Sequence, residues 1–140
     1  MTLHLLKLCV GVESIAELRA FTRMRRAHAP GVHAHVTRMV PTRAAELLDG
    51  GSLYWVIKGQ ICARQRLIGI EPFIDSAAVK RCALRLDDEV VALRPQPHRA
   101  FQGWRYLTPA DAPPDLDSVA PGLDEMPEAL RRELSDLGLL

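Results

Sequence analysis

Apolar and polar positions alternate through Leu3-His4-Leu5-Leu6-Lys7-Leu8-Cys9-Val10, a period-two pattern that predicts a strand ended by Gly11. Ser14-Ile15-Ala16-Glu17 then has the form of a capping box opening a helix. Ile15, Leu18 and either Phe21 or Thr22 make its apolar face, arginines make the other, and Ala29-Pro30-Gly31 ends it. His33 to Val40 alternates weakly and predicts a second strand. Thr42 is placed to cap a short helix through Leu48, with Asp49-Gly50-Gly51 as its terminator. Ser52-Leu53-Tyr54-Trp55-Val56-Ile57-Lys58 is rich in aromatic and β-branched residues, the clearest strand in the chain. Gly59-Gln60 reads as a hairpin link to a further strand from Ile61 to Glu71, closed by Pro72. On that strand Cys62, Arg64, Arg66, Ile68 and Ile70 share one face; Ile61, Ala63, Gln65, Leu67 and Gly69 share the other. Lys80 to Asp87 alternates again with Cys82, Leu84 and Leu86 inward, and Asp88 to Leu93 reads as a helical turn. Arg94-Pro95-Gln96-Pro97 must be extended, and Phe101 to Leu107 reads as a last strand or ordered loop.

These elements predict an α+β domain over residues 1–107: a mostly antiparallel sheet or partly open β-barrel with two or three short helices. A ferredoxin-like α+β sandwich accommodates the same order. After Thr108 the texture changes. Residues 108–116 read as a proline-rich arm over the body, and 117–140 as an acidic tail ending in an amphipathic helix over 126–137. The helix stripe is Met126, Leu130, Leu134 and Leu137. Such a short helix needs a surface to persist. The expectation is that the arm docks while the helix stays loose, available to a protein partner.

Length and composition fit one ordinary globular domain: 140 residues, 48% hydrophobic and 25% charged. No apolar run is long enough to span a membrane, so no membrane partner is expected and a cytoplasmic location is. The formal charge of +1 hides two opposite parts. The body to residue 107 is strongly basic and the remainder strongly acidic. From Leu18 to Ala45 there is no acid, and every cation in that stretch is arginine. A basic body attracts polyanions through counterion release, and guanidinium grips phosphate with a planar fork.

The aromatics cluster in two segments, Tyr54-Trp55 and Phe101-Gln102-Gly103-Trp104-Arg105-Tyr106. Aromatics interleaved with cations are what a base-stacking, phosphate-tracking surface requires. Cys9, Cys62 and Cys82 sit in apolar strand patterns with no Cys-x-x-Cys, and read as reduced, buried thiols. His33 and His35 share a predicted strand face but lack a neighbouring carboxylate or thiol, so no metal is expected. No glycine-rich phosphate loop or nucleophile elbow is present, so no cofactor is expected. One enzymatic constellation can be drawn from Thr37, Lys58 and Glu71, with Lys58 desolvated beside Trp55 and Ile57.

The segments His35–Pro41, Gly50–Gly59, Arg64-Gln65-Arg66 and Phe101–Leu107, with the opening Met1–Leu5, resemble the alphaproteobacterial family of domain of unknown function 1489. The resemblance spans roughly residues 1–116. It implies a bacterial cytoplasmic protein and brings no activity, cofactor or catalytic residue. The helix over 42–48, Gly50-Gly51 and the two strands that follow, the second with Ile68-Gly69-Ile70-Glu71, are also similar in pattern to pseudouridine-synthase-and-archaeosine-transglycosylase-like (PUA-like) domains. Those are small, partly open barrels, many of which bind RNA.

The sequence therefore predicts a nucleic-acid-binding module, RNA above all. Arg38, Arg64, Arg66 and Arg105 are its candidate backbone contacts, and Trp55, Trp104 and Tyr106 its candidate stacking groups. Arg64 and Arg66 are expected to face solvent or to line a groove near Trp104. Two rival readings are a small-molecule or modified-nucleobase enzyme with a pocket around Lys58 and Glu71, and a non-catalytic protein-interaction module.

Overall fold

The computed structural model describes residues 1–28, 34–119 and 125–138. In chain order the elements are β1 (His4–Leu8), α1 (Ile15–His28), β2 (Ala34–Thr37), α2 (Ala44–Leu47), β3 (Ser52–Ile57) and β4 (Gln60–Ile74). There follow β5 (Lys80–Leu86), β6 (Val91–Pro97), β7 (Trp104–Leu107), α3 (Leu116–Val119) and α4 (Glu128–Asp136). Seven strands form one sheet in the order β2-β5-β4-β3-β1-β7, with β6 also paired to β4. Every pairing is antiparallel except β1 with β3. The sheet is open, not closed into a barrel, and it is not the four-stranded sandwich of the ferredoxin-like alternative.

β3 runs through the middle, with all six residues buried. A strand covered on both faces reads as a continuous apolar run. Leu53, Trp55 and Ile57 belong to the larger core, which takes in Leu5, Leu67, Leu84, Leu86 and Trp104 and is capped by Ile15 and Leu18 of α1. Tyr54 and Val56 belong to a smaller core with Leu6, Ile61, Leu93 and Leu107, closed over by Phe101 and Ala112. Thr22, not Phe21, completes the inner side of α1: Thr22 is buried and Phe21 is 48% exposed.

The β3–β4 hairpin forms as expected, with its link one residue earlier. Lys58 and Gly59 both have positive φ (49° and 75°), and Gln60 already pairs with Ile57. Two successive positive-φ residues match the twist of the flanking strands. Pro72 does not close β4, which continues to Ile74. β3 pairs with β4 only as far as Arg66, so Pro72 sits where one edge is open and no donor is required. Bulges at Ile61/Ala63 and Leu67/Gly69 break the simple alternation, which moves Cys62 into the larger core away from Arg64 and Arg66. Residues 91–93, expected in a helical turn, are strand, because Val91 and Ala92 pair with Arg64 and Ala63.

Thr42 does not cap α2. The first residue outside that helix is Arg43, without a side-chain cap, while the Thr42 N–H donates to the Tyr106 hydroxyl. Gly50 and Gly51 do end α2, for different reasons. Gly50 has φ +81°, and a Cβ on Gly51 would lie 2.2 Å from the Leu3 carbonyl oxygen. His33 and the predicted helix end at residues 29–31 lie outside the described residues.

The tail corrects an expectation. The arm docks, with Leu93 bridged to Asp115 and Leu116 fully buried. The final helix docks as well, and by its polar side. Glu128 accepts the Ile15 N–H at the start of α1 (2.9 Å), Arg132 donates to the Ile57 carbonyl (3.3 Å), and Ser135 donates to the Pro95 carbonyl (3.2 Å). Leu130 and Leu137 of the apolar stripe are left 42% and 66% exposed.

Candidate functional site

Strand register decides which candidate residues can act together. Residues level on neighbouring strands share a face. Arg105, Leu6, Tyr54 and Arg64 form one row across β7, β1, β3 and β4. Arg66 lies two residues along from Arg64 on that face. On the opposite face Trp104, Lys7, Trp55 and Ala63 form a row, with Tyr106 two residues from Trp104. The expected basic, aromatic surface is thus divided by the sheet itself: three of its arginines lie on one face and its three rings on the other.

The rings are also committed to packing. Trp104 is buried and its indole N–H donates to the Met39 carbonyl (2.8 Å). Tyr106 stacks edge-on to Trp104, and its hydroxyl receives the N–H groups of Thr42 and Arg43. Tyr54 and Trp55 are both buried, one in each core, so neither projects into solvent. Arg38 is exposed just beyond β2, and Arg105 is exposed with its guanidinium 4.7 Å from the centre of the Phe101 ring.

Lys58 and Glu71 do not share a pocket. Lys58 occupies the β3–β4 turn, 56% exposed and 3.9 Å from Glu13. Glu71 lies near the other end of β4, paired with Arg85 at 3.3 Å. Roughly 35 Å of strand separates them at ~3.3 Å per residue. Thr37 is buried on β2, its hydroxyl donating to the Met39 carbonyl.

Two cavity systems among the described residues bear on the site. The first, of about 210 Å³, opens between α1, the end of β1 and β2. Leu18, Val12 and Leu86 line it with the Trp55 ring, and His35 stands edge-on to that ring at 5.2 Å. The Trp55 indole N–H donates to the Gln65 side-chain oxygen (3.0 Å), and the Gln65 amide nitrogen donates to the Asp87 carbonyl (3.0 Å). Gln65 is wholly buried. These two bonds fix the ring's orientation from behind. Lys7 and Arg25 also line the cavity, and no carboxylate among the described residues does. Arg25 donates to the Ala34 carbonyl (2.8 Å), tying α1 to β2. Cys9 lines the pocket too, but burial pushes its thiol up to about 11, which keeps it protonated at neutral pH. The pocket is an apolar slot with an aromatic wall and cationic surroundings, large enough for one planar heterocycle and below the ~300–1,000 Å³ of drug-sized sites.

The second system lies on the opposite face, on either side of Arg64. A cleft of about 370 Å³ holds Arg19, Arg64 and Arg66 together with Asp87, Glu89, Asp115 and Asp117. Arg64 and Arg66 do line a groove, but Trp104 is absent from its walls, being three strands away on the other face. A groove of about 360 Å³ continues beyond the Arg64–Asp115 pair, under the arm. Asp115 takes two bonds from Arg64, at 2.8 and 2.7 Å, and this guanidinium holds its carboxyl below the usual range. The carboxylate partner of Arg64 is thus supplied by the arm. Among the described residues no group of three His, Cys, Asp or Glu side chains is placed to hold a metal.

Lys7, Arg25, His35 and Gln65 were not among the candidates for nucleic-acid contact. A readable signal existed for two of them: Lys7 and Gln65 are polar residues on otherwise apolar strand faces. What the pattern could not supply was the β1–β3 pairing that sets Lys7 beside Trp55.

Together these features define a single α+β domain with a mostly antiparallel open sheet and a cationic, aromatic-walled slot on one face. Residues 5–140 match the family described as a protein of unknown function (DUF1489), and the chain belongs to that family. Comparison with curated proteins and with solved structures finds no match. No helix among the described residues is long and apolar enough to cross a membrane.

Proposed function

We propose that the protein binds single-stranded nucleic acid, RNA above all, by admitting one base to the slot against Trp55 while Lys7 and Arg25 meet the flanking phosphates. The observation that carries this reading is the lining of the slot among the described residues: an oriented indole, a second ring at right angles to it, two cations and no carboxylate. Stacking on an aromatic wall tolerates any base, and cations beside it track the backbone. The exposed arginines Arg23 of α1 and Arg38 beyond β2 lengthen the path available to a strand. The cleft around Arg64 supports the reading less, since four carboxylates accompany its three arginines. Trp104 and Tyr106 have no part in it, being packed and hydrogen-bonded.

The test is binding of a short single-stranded RNA to the full chain at several salt concentrations. Affinity should fall steeply with salt, because each phosphate contact releases counterions. Replacing Lys7 and Arg25 together by Ala should weaken binding about tenfold or more at low salt and flatten the salt slope. An unchanged affinity and slope in that variant, with its fold intact, would remove the slot from the interface.

A further inference from the structure

The groove under the arm has walls of unlike chemistry. From the sheet come His4, Ser52, Tyr54 and Arg64; from the arm come Pro109, Ala112, Pro113 and Pro114, with Asp115 at the junction. The sheet wall is rich in donors. The Ser52 N–H donates to His4 Nδ1 (3.0 Å), which places the His4 proton on Nε2, where it is a donor. Burial first, and the Arg64 charge second, lower the His4 pKa, so the ring is neutral. Tyr54 lies edge-on to His4, 4.9 Å between ring centres, and directly across the strand pair from Arg64. Ser52 Oγ accepts from one terminal nitrogen of Arg64 (3.1 Å). The arm wall is apolar, and its prolines have no N–H to offer.

Among the described residues Asp115 is the one carboxylate lining this groove, and it sits on the guanidinium as a bound carboxylate ligand would, with two parallel bonds. The pair forms part of the walls of both cavities, so the guanidinium is approachable from either side. Its side chain keeps 24% of its exposure. Each terminal nitrogen of Arg64 retains one N–H beyond the bonds it makes to Asp115 and Ser52.

We propose that this groove is a binding site for a small oxyanion, a carboxylate or a phosphate monoester, which Arg64 accepts in exchange for Asp115. His4 and Tyr54 supply the neighbouring donors, and the Asp115 side chain turns aside while the arm stays docked. The tethered carboxylate competes at high effective concentration, so the unaltered chain binds such a ligand weakly and releasing Asp115 strengthens binding. The site lies on the face of the sheet opposite the Trp55 slot and does not depend on the nucleic-acid reading.

The probes are inorganic phosphate and acetate, titrated separately into the full chain, with binding followed by calorimetry and by the ¹⁵N resonance of Arg64 Nε. In the unaltered chain that resonance should move saturably with at least one probe, and which probe moves it tells the two oxyanion classes apart. Asp115→Asn should tighten binding of the same probe about tenfold or more. Adding Arg64→Gln to Asp115→Asn should abolish it, with thermal unfolding confirming that both variants fold. Should either variant fail to fold, the Arg64 resonance of the unaltered chain decides alone. A resonance unmoved by both probes, an Asp115→Asn protein that binds no tighter, or a double variant that binds as well, would overturn the proposal.

Discussion

The most informative single residue is His4, a titratable ring at the start of an apolar strand. Its Nδ1 accepts the Ser52 N–H, a bond that exists only while that nitrogen is unprotonated. Burial, and then Arg64, hold the folded pKa below the ordinary 6.5. The unfolded chain therefore takes up a proton at a higher pH than the folded one. The stabilisation from His4 is complete above 6.5 and is lost as pH falls through the lowered folded value. Melting temperature should hold level from pH 8 to 7 and decline below about 6.5. His4→Asn, which keeps an acceptor near the Nδ1 position without titrating, should remove that part of the decline. An identical pH profile in the variant would assign the loss to other groups. His4 was visible in the sequence as a polar interruption, but its partner was not, since Ser52 lies 48 positions away.

At the scale of elements, α4 shows how a hydrophobic stripe can mislead. Met126, Leu130, Leu134 and Leu137 have helical spacing, yet the helix rests on Glu128, Arg132 and Ser135. The reason is what the body offers at that point. It presents backbone groups there: the first N–H of α1, the carbonyl of Ile57 at the end of β3, and the carbonyl of Pro95 within β6. Polar side chains answer these, and Glu128 serves α1 as a capping residue supplied from far along the chain. Loss of a helix cap costs ~1 kcal/mol. Glu128→Ala should therefore lower stability by about that amount, and removal of residues 120–140 by more. Equilibrium unfolding in urea checks both, and truncation without effect would show that α4 adds nothing to the fold. The β3–β4 hairpin, by contrast, was legible to within one residue, because its signals are local: two strong strands and a glycine turn. Only the second half of β6 was anticipated, as the extended Arg94–Pro97, because the strand character of Val91–Leu93 rests on pairing with β4, which sequence spacing does not reveal.

At the scale of the molecule, period-two alternation assigned residues to faces well enough, and the order of strands was what it lacked. Placing β1 between β3 and β7 makes β3 an interior strand and sets Lys7 between two tryptophans. In the sequence the basic body and its aromatics stood out as the features with chemical promise. Their division between two faces follows from register and could not be read locally. The same register leaves Trp55 lining a slot with no carboxylate among the described residues, the centre of the proposed function. The most direct measurement follows Trp55 itself. In a Trp104→Phe chain the remaining indole is Trp55, and short single-stranded RNA should change its fluorescence saturably, with a midpoint that shifts upward steeply as salt is raised. Fluorescence unchanged at saturating RNA and low salt, in a protein that is folded, would contradict the account.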